Sequence, residues 1–299
     1  MNTVPPARVI QEDLVAIVFY SYRKCLTNLK DTMKAAEVLF TYFLLAISIT
    51  IDAQEKEPWH NKKCSVALTY DDALNVDLDN AVPLLDSLGL KATFYLSGYS
   101  GVLNNRIEEW RAIALKGHEL GNHTLYHPCL GKRPGREFVT ADYDLSNYSF
   151  RRITDEIRMT NTLLKAIDGK TKRTFAYPCG DTKIGDSSYL DPIKKDFVAA
   201  RGVRSEMLKI NSVDLYNIGC YTINGQTGQQ LIELVKKAIT EKALLVFLFH
   251  GVGGEHSLNV SLPAHRQLLQ FLKENEKDIW VAPMIEIAEY IEKNNGNNR

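Results

Sequence analysis

The chain has 299 residues, 45% of them hydrophobic and 24% charged, with 36 lysines and arginines against 36 aspartates and glutamates. A formal net charge of zero argues against a partner held by polyanion attraction, so no nucleic-acid partner is expected. The length suffices for one large α/β domain or two smaller ones with a sizeable core.

In chain order, the first readable element lies in the N-terminal fifth. A basic Met33-Lys34 start, an apolar stretch from Val38 to Ile51 and a small residue, Ala53, are the parts of a secretory signal peptide. The stretch is too short and too interrupted to span a bilayer, so no stable membrane insertion is expected. Glu37 and Asp52 depart from the pattern, and no cysteine follows the cut for lipid attachment. The resulting division is an upstream extension over 1–32, a signal peptide over 33–53, a linker over 54–62, a folded domain over 63–293 and a polar tail over 294–299. Real N-terminal helices over 13–52 are the alternative. Cleavage after Ala53 implies a secreted or periplasmic protein and leaves Cys64, Cys129, Cys179 and Cys220. Sequence cannot choose among their pairings, and packing is the expected role of Cys129 and Cys179.

Beyond the linker, short apolar runs alternate with amphipathic ones. Ser65–Tyr70 reads as a strand buried on both faces. Asp79–Leu88 reads as a helix stopped at Gly89, Lys91–Leu96 as a strand, and Arg106–Lys116 as a helix closed by Gly117. Residues 129–152 have few periodic apolar positions and several aromatics, which marks an inserted loop suited to walling a groove. Ile153–Ile167 is the clearest helix. Thr174–Tyr177 and Leu244–Phe249 read as strands, Leu231–Glu241 and Leu262–Glu276 as helices, Ile279–Ala282 as a strand and Met284–Lys293 as a closing helix. The alternation implies roughly six or seven βα units around a parallel sheet, an irregular or incomplete (β/α) barrel. Asp71, Asp72 and His250 follow strands, where such barrels place their sites.

Two segments carry the chemistry. Asp71 and Asp72 end the first strand, and Gly117-His-Glu-Leu-Gly-Asn-His-Thr-Leu-Tyr-His-Pro128 follows about fifty residues on. The spacing His123-x3-His127 would place both imidazoles on one side of a helical turn. With one carboxylate they make a metal-ligand set that leaves positions open for water and substrate. An aspartate pair by itself is more often a solvated turn, and a strand-end histidine more often a core residue; the ordered set tips the balance toward metal-assisted hydrolysis.

These segments resemble the polysaccharide deacetylase family, also called the NodB-homology domain or carbohydrate esterase family 4, over roughly residues 63 to 292. The family's Thr-Phe-Asp-Asp-Gly appears as Thr69-Tyr70-Asp71-Asp72-Ala73, its His-[Ser/Thr]-x-x-His as His123-Thr-Leu-Tyr-His127, its Arg-x-Pro-[Tyr/Phe]-Gly as Ala176-Tyr-Pro-Cys-Gly180, and its Leu-x-His as Leu248-Phe-His250. The resemblance implies a barrel of the NodB type that removes N- or O-linked acetyl groups from a carbohydrate polymer or oligosaccharide. Asp72, His123 and His127 would hold a divalent metal, zinc by default, with cobalt or nickel also accommodated. Asp71 would be the general base and His250 the general acid, with Cys179 and Tyr177 at the oxyanion and substrate side.

Three departures stand out. Ala73 replaces a glycine. Ala176 replaces the arginine that steadies the base, for which Arg201 is the candidate substitute. The fourth motif is unrecognisable, with Asp214, Tyr216 or Tyr221 as stand-ins. Rival readings are a carbohydrate-binding barrel with weakened catalysis, and a deacylase of a small C–N substrate. His118 and His265 are expected to be structural, His256 to face water in preference to approaching substrate, Trp110 and Trp280 to lie in the core, and Trp59 to be a surface anchor. Tyr143, Tyr148 and Phe150 would either stack on sugar or pack. Nothing in the sequence bears on the oligomeric state.

Overall fold

A computed structural model describes Ser21, Arg23 and residues 57–296. Backbone packing divides the chain into units of residues 1–56 and 57–299. The proposed extension and signal peptide lie outside the described residues, apart from Ser21 and Arg23. Among the described residues, no helix is long and apolar enough to cross a membrane.

The second unit is built on eight strands: β1 Cys64–Asp71, β2 Thr93–Leu96, β3 Glu119–Asn122, β4 Phe175–Ala176, β5 Ala200–Arg201, β6 Tyr221–Thr222, β7 Leu244–Phe249 and β8 Ile279–Val281. Their order is β5-β4-β3-β2-β1-β7-β6, with β8 paired to the start of β1. Every pairing in this sheet is parallel. The helices are α1 Val82–Ser87, α2 Gly101–Asn105, α3 Ile107–Leu115, α4 Phe150–Asp168, α5 Gly228–Glu241, α6 Leu262–Glu274 and α7 Met284–Gly296. A parallel sheet flanked by helices is the irregular (β/α) barrel that the alternation predicts.

Period-two alternation in the central strands fills two cores. Val66, Leu68 and Tyr70 of β1 join Leu245, Phe247 and Phe249 of β7 in one cluster. Ala67 joins Leu244, Val246 and Leu248 in the other, beside Met284, Ile287 and Ile291 of α7. Local signals set the helix ends. Thr227 and Gln230 form a reciprocal capping box on α5, Ser149 caps α4, and Gly169 ends α4 at φ 72°.

Several expectations need correction. The expected helix 79–88 is a five-residue π turn, Asp77–Ala81, followed by α1, whose first turn holds Pro83, where a missing N–H costs nothing. The run Glu119–Asn122 is a strand, although it has only one strongly apolar side chain. Residues 59–62 belong to the fold instead of a linker: Trp59 and Lys62 pair, and the Trp59 indole N–H donates to the Lys242 carbonyl at 2.9 Å. Trp59 is fully buried, so it is a core residue and not a surface anchor.

Candidate metal centre and cleft

Where β1 ends, the backbone turns through the left-handed region, with Asp72 at φ 80° and Ala73 at φ 60°. Glycine usually fills such positions because an L side chain meets its own carbonyl there. The turn aims both carboxylates into a cleft of about 870 Å³.

The two imidazoles reach the same point by an unexpected route. Residues 123–128 are an irregular loop after β3 and not a helical turn. Thr124 and His127 lie at φ 63° and 53°. The Thr124 N–H donates to Asn122 Oδ1 at 2.8 Å, and the His127 N–H to Thr124 Oγ1 at 2.9 Å. Asn122 is anchored in turn on the Ile157 carbonyl at 2.8 Å. This coiled loop brings the rings to 4.7 Å between centroids.

Asp72 Oδ1 then lies 3.5 Å from His123 Nε2 and 3.4 Å from His127 Nε2. One donor atom from each of the three lies within 4.8 Å of the others. His123 Nδ1 faces the Ala176 carbonyl at 2.8 Å, which fixes the proton there and leaves Nε2 as a lone-pair donor. Burial lowers the His123 pKa to about 4, against the opposing pull of Asp71 and Asp72, so the ring is neutral near pH 7. Burial disfavours the Asp72 carboxylate, but His127, His123, His250 and His256 outweigh it and hold its pKa below the ordinary value. Two imidazole nitrogens and one carboxylate oxygen that converge on one point fit a divalent ion.

Asp71 is buried beside this centre, its Oδ2 3.6 Å from His123 Nε2. Arg201 Nη2 donates to the same Oδ2 at 2.5 Å. Ala176, which stands where the family's arginine is expected, is the direct neighbour of Arg201 in the β4–β5 register. The guanidinium therefore arrives from the adjacent strand. Asp71 Oδ1 is buried with no hydrogen-bond partner among the described residues.

His250 follows β7 and places Nε2 3.9 Å from Asp72 Oδ2. Burial, opposed by Asp71 and Asp72, holds its pKa below the ordinary value. Its Nδ1 is buried without a partner among the described residues. Asp214, Tyr216 and Tyr221 do not line the cleft. His256 was expected to face water; it lines the cleft, stacks on His250 at 4.6 Å and reaches within 4.0 Å of Asp72 Oδ2. Its loop is pinned by Glu255, which accepts from the Asn75 side chain and the Val76 N–H at 2.8 Å each. A second histidine in a loop with three glycines was the available signal.

Cys129 and Cys179 form a disulfide, correcting the packing role expected of them. Cys179 lines the cleft at φ 56° on the turn Pro178–Gly180. Tyr177 also lines it, but its hydroxyl is committed to the Tyr216 carbonyl at 3.0 Å. Asp181 strengthens the link to the loop beginning at Cys129. It accepts from the Leu130 N–H at 2.8 Å and from Arg136 at 2.5 Å. Of the three aromatics singled out in the loop, Tyr143 lines the cleft, Tyr148 is buried in a core cluster, and Phe150 begins α4. His118 and His265 are buried and hydrogen-bonded, to Ala92 N–H at 3.2 Å and Tyr70 Oη at 2.7 Å.

A parallel-stranded (β/α) barrel with a two-histidine, one-aspartate centre at the strand ends defines a class of metal-site barrels. Residues 59–190 match the model of the polysaccharide deacetylase family. It is 28% identical over 164 residues to the uncharacterized protein YlxY of Bacillus subtilis, covering 54% of this chain and 45% of that protein. It is 42% identical over 73 residues to a peptidoglycan-N-acetylglucosamine deacetylase of Bacillus cereus, covering 23% of this chain and 25% of that protein. The chain thus spans less than half the length of the curated relatives it matches. Among solved structures, a protein of Pseudomonas aeruginosa assigned to the polysaccharide deacetylases superposes with a TM-score of 0.56 at 10% identity, covering 78% of this chain and 92% of that one. One from Mycobacterium smegmatis, assigned likewise, gives 0.54 at 16% identity, covering 78% and 91%. These likenesses support the fold.

Proposed function

We propose that the protein is a divalent-metal-dependent deacetylase that removes N- or O-linked acetyl groups from a carbohydrate polymer or oligosaccharide. The observation that carries this reading is a buried Asp71, held by Arg201, beside three convergent donors in one cleft. An ion bound by Asp72, His123 and His127 would polarise the acyl carbonyl and acidify the attacking water. The two-imidazole, one-carboxylate set suits zinc, with cobalt or nickel as alternatives. Asp71 accepts the water's proton on its unpartnered Oδ1 while Arg201 fixes its other oxygen. The turn at Cys179 supplies backbone N–H to the developing oxyanion. His250 donates to the departing amine or alkoxide; because burial lowers its pKa, its imidazolium parts with the proton more readily than an exposed one. The disulfide and the signal-like segment at 33–53 support a secreted or periplasmic location.

The test is acetate release from a panel of acetylated glycans, with and without chelator, alongside metal analysis of each variant. Asp71→Asn should lower kcat by about 10²-fold or more with metal content unchanged. His127→Ala should lose the metal. Full activity in Asp71→Asn would remove the base assignment. A metal-loaded chain that binds glycans but releases no acetate from any of them would be a carbohydrate-binding barrel.

A further inference from the structure

Beyond the metal centre, the cleft has one wall of aromatic rings. Tyr126 packs edge-on against Tyr99 at 5.1 Å and stacks on Tyr143 at 5.4 Å, and all three line the cleft. Tyr99 is 70% exposed and Phe138, which also lines the cleft, 63%. Such exposure of large rings has no packing rationale, and apolar side chains gathered at the mouth of one cleft mark a binding surface. Tyr126 adjoins His127 in sequence, and both line the same cleft.

Backbone hydrogen bonds also tie the three tyrosine-bearing loops in place. The Gly98 and Tyr99 N–H groups donate to the Thr124 and Leu125 carbonyls at 2.9 Å each, locking the loop after β2 to the loop that carries Tyr126. The Cys129 N–H donates to the Tyr143 carbonyl at 3.2 Å, beside the disulfide. Rings held in place before binding lose little conformational freedom when a flat apolar face arrives. Among the described residues, Arg136 is the only lysine or arginine lining the cleft, and it is spent on Asp181 and on the Cys179 carbonyl at 3.0 Å. Outside the metal centre, the wall therefore offers no unpaired cation to an acidic sugar.

Resting on the deacetylase reading, we propose that Tyr99, Tyr126 and Tyr143, with Phe138, form a stacking wall for sugar rings adjacent to the acetylated one, selecting a neutral glycan chain over a single sugar or a small amide. The C–H face of a pyranose fits an exposed aromatic ring, and consecutive sugars can follow the row away from the metal.

The experiment uses the full-length, zinc-loaded protein and N-acetylglucosamine and acetylated xylose oligomers of one to six units. In the wild type, kcat/KM should rise with chain length. Tyr99→Ala and Phe138→Ala should each reduce the hexamer-to-monomer ratio of kcat/KM by about tenfold, mainly through KM, as expected for losing one aromatic face. Tyr99→Trp should restore the ratio, and Leu115→Ala, on the exposed surface of α3, serves as control. A ratio unchanged in both alanine variants would overturn the proposal, as would a wild type that prefers monomers or acidic glycans. Titration calorimetry with unsubstituted hexamers separates this outcome from failure of the deacetylase reading. If no glycan loses acetate, a roughly tenfold weaker hexamer affinity in Tyr99→Ala would still support the wall, and equal affinity would refute it.

Discussion

The ion pair between Arg201 and Asp71 couples the site to stability. Both side chains are buried, so removing one partner strands a charge in a medium that solvates it poorly. Arg201→Met should destabilise the protein by about 3–5 kcal/mol in urea unfolding. Adding Asp71→Asn should recover part of that loss, because the stranded charge disappears. Strictly additive losses would mean the two groups do not interact. Residue types were the most legible part of the site: two histidines four apart and an aspartate pair after a strand specify donor chemistry before any geometry is known. The approach of His256 to Asp72 was not legible, because it depends on the path of a glycine-rich loop and on Glu255 binding Asn75 and the Val76 N–H.

At the scale of elements, the loop after β3 and the turn after β4 act as one body. The disulfide joins positions 50 residues apart, and Asp181 adds hydrogen bonds across the same seam. Closing a loop of that size in the unfolded chain predicts that the Cys129→Ser/Cys179→Ser variant loses about 2–4 kcal/mol of stability, measured by denaturant unfolding. Equal midpoints in oxidised and variant protein would contradict this. The long helices and buried strands were readable because their apolar periodicity is strong. β3 was missed for a physical reason: its burial rests on Glu119, which accepts from Thr93 and Thr174 at 2.8 and 2.7 Å and from the Ile285 N–H at 2.9 Å. Satisfied polar groups can be buried as fully as leucines, and hydropathy does not register them.

For the molecule as a whole, pH should act through buried histidine. His265 on α6 shares a 2.7 Å hydrogen bond with Tyr70 of β1, and burial lowers its pKa to about 3. The unfolded chain takes up this proton near the ordinary value of 6.5, the folded chain only near 3. Between those values the unfolded state binds more protons, so stability falls as pH drops through the window and is fully present above it. In metal-free protein, His265→Gln should flatten the dependence of unfolding free energy on pH by about one proton across that window. Identical slopes would show that another group carries the acid sensitivity.

The side-by-side pairing of Ala176 and Arg201 reaches beyond this one chain. Two positions that are strangers along the polypeptide are next-door in the barrel, so a guanidinium can change address without the carboxylate it serves noticing. A pattern that insists on an arginine two residues before Pro178 would therefore discard proteins equipped like this one. A search keyed to either address would retain them.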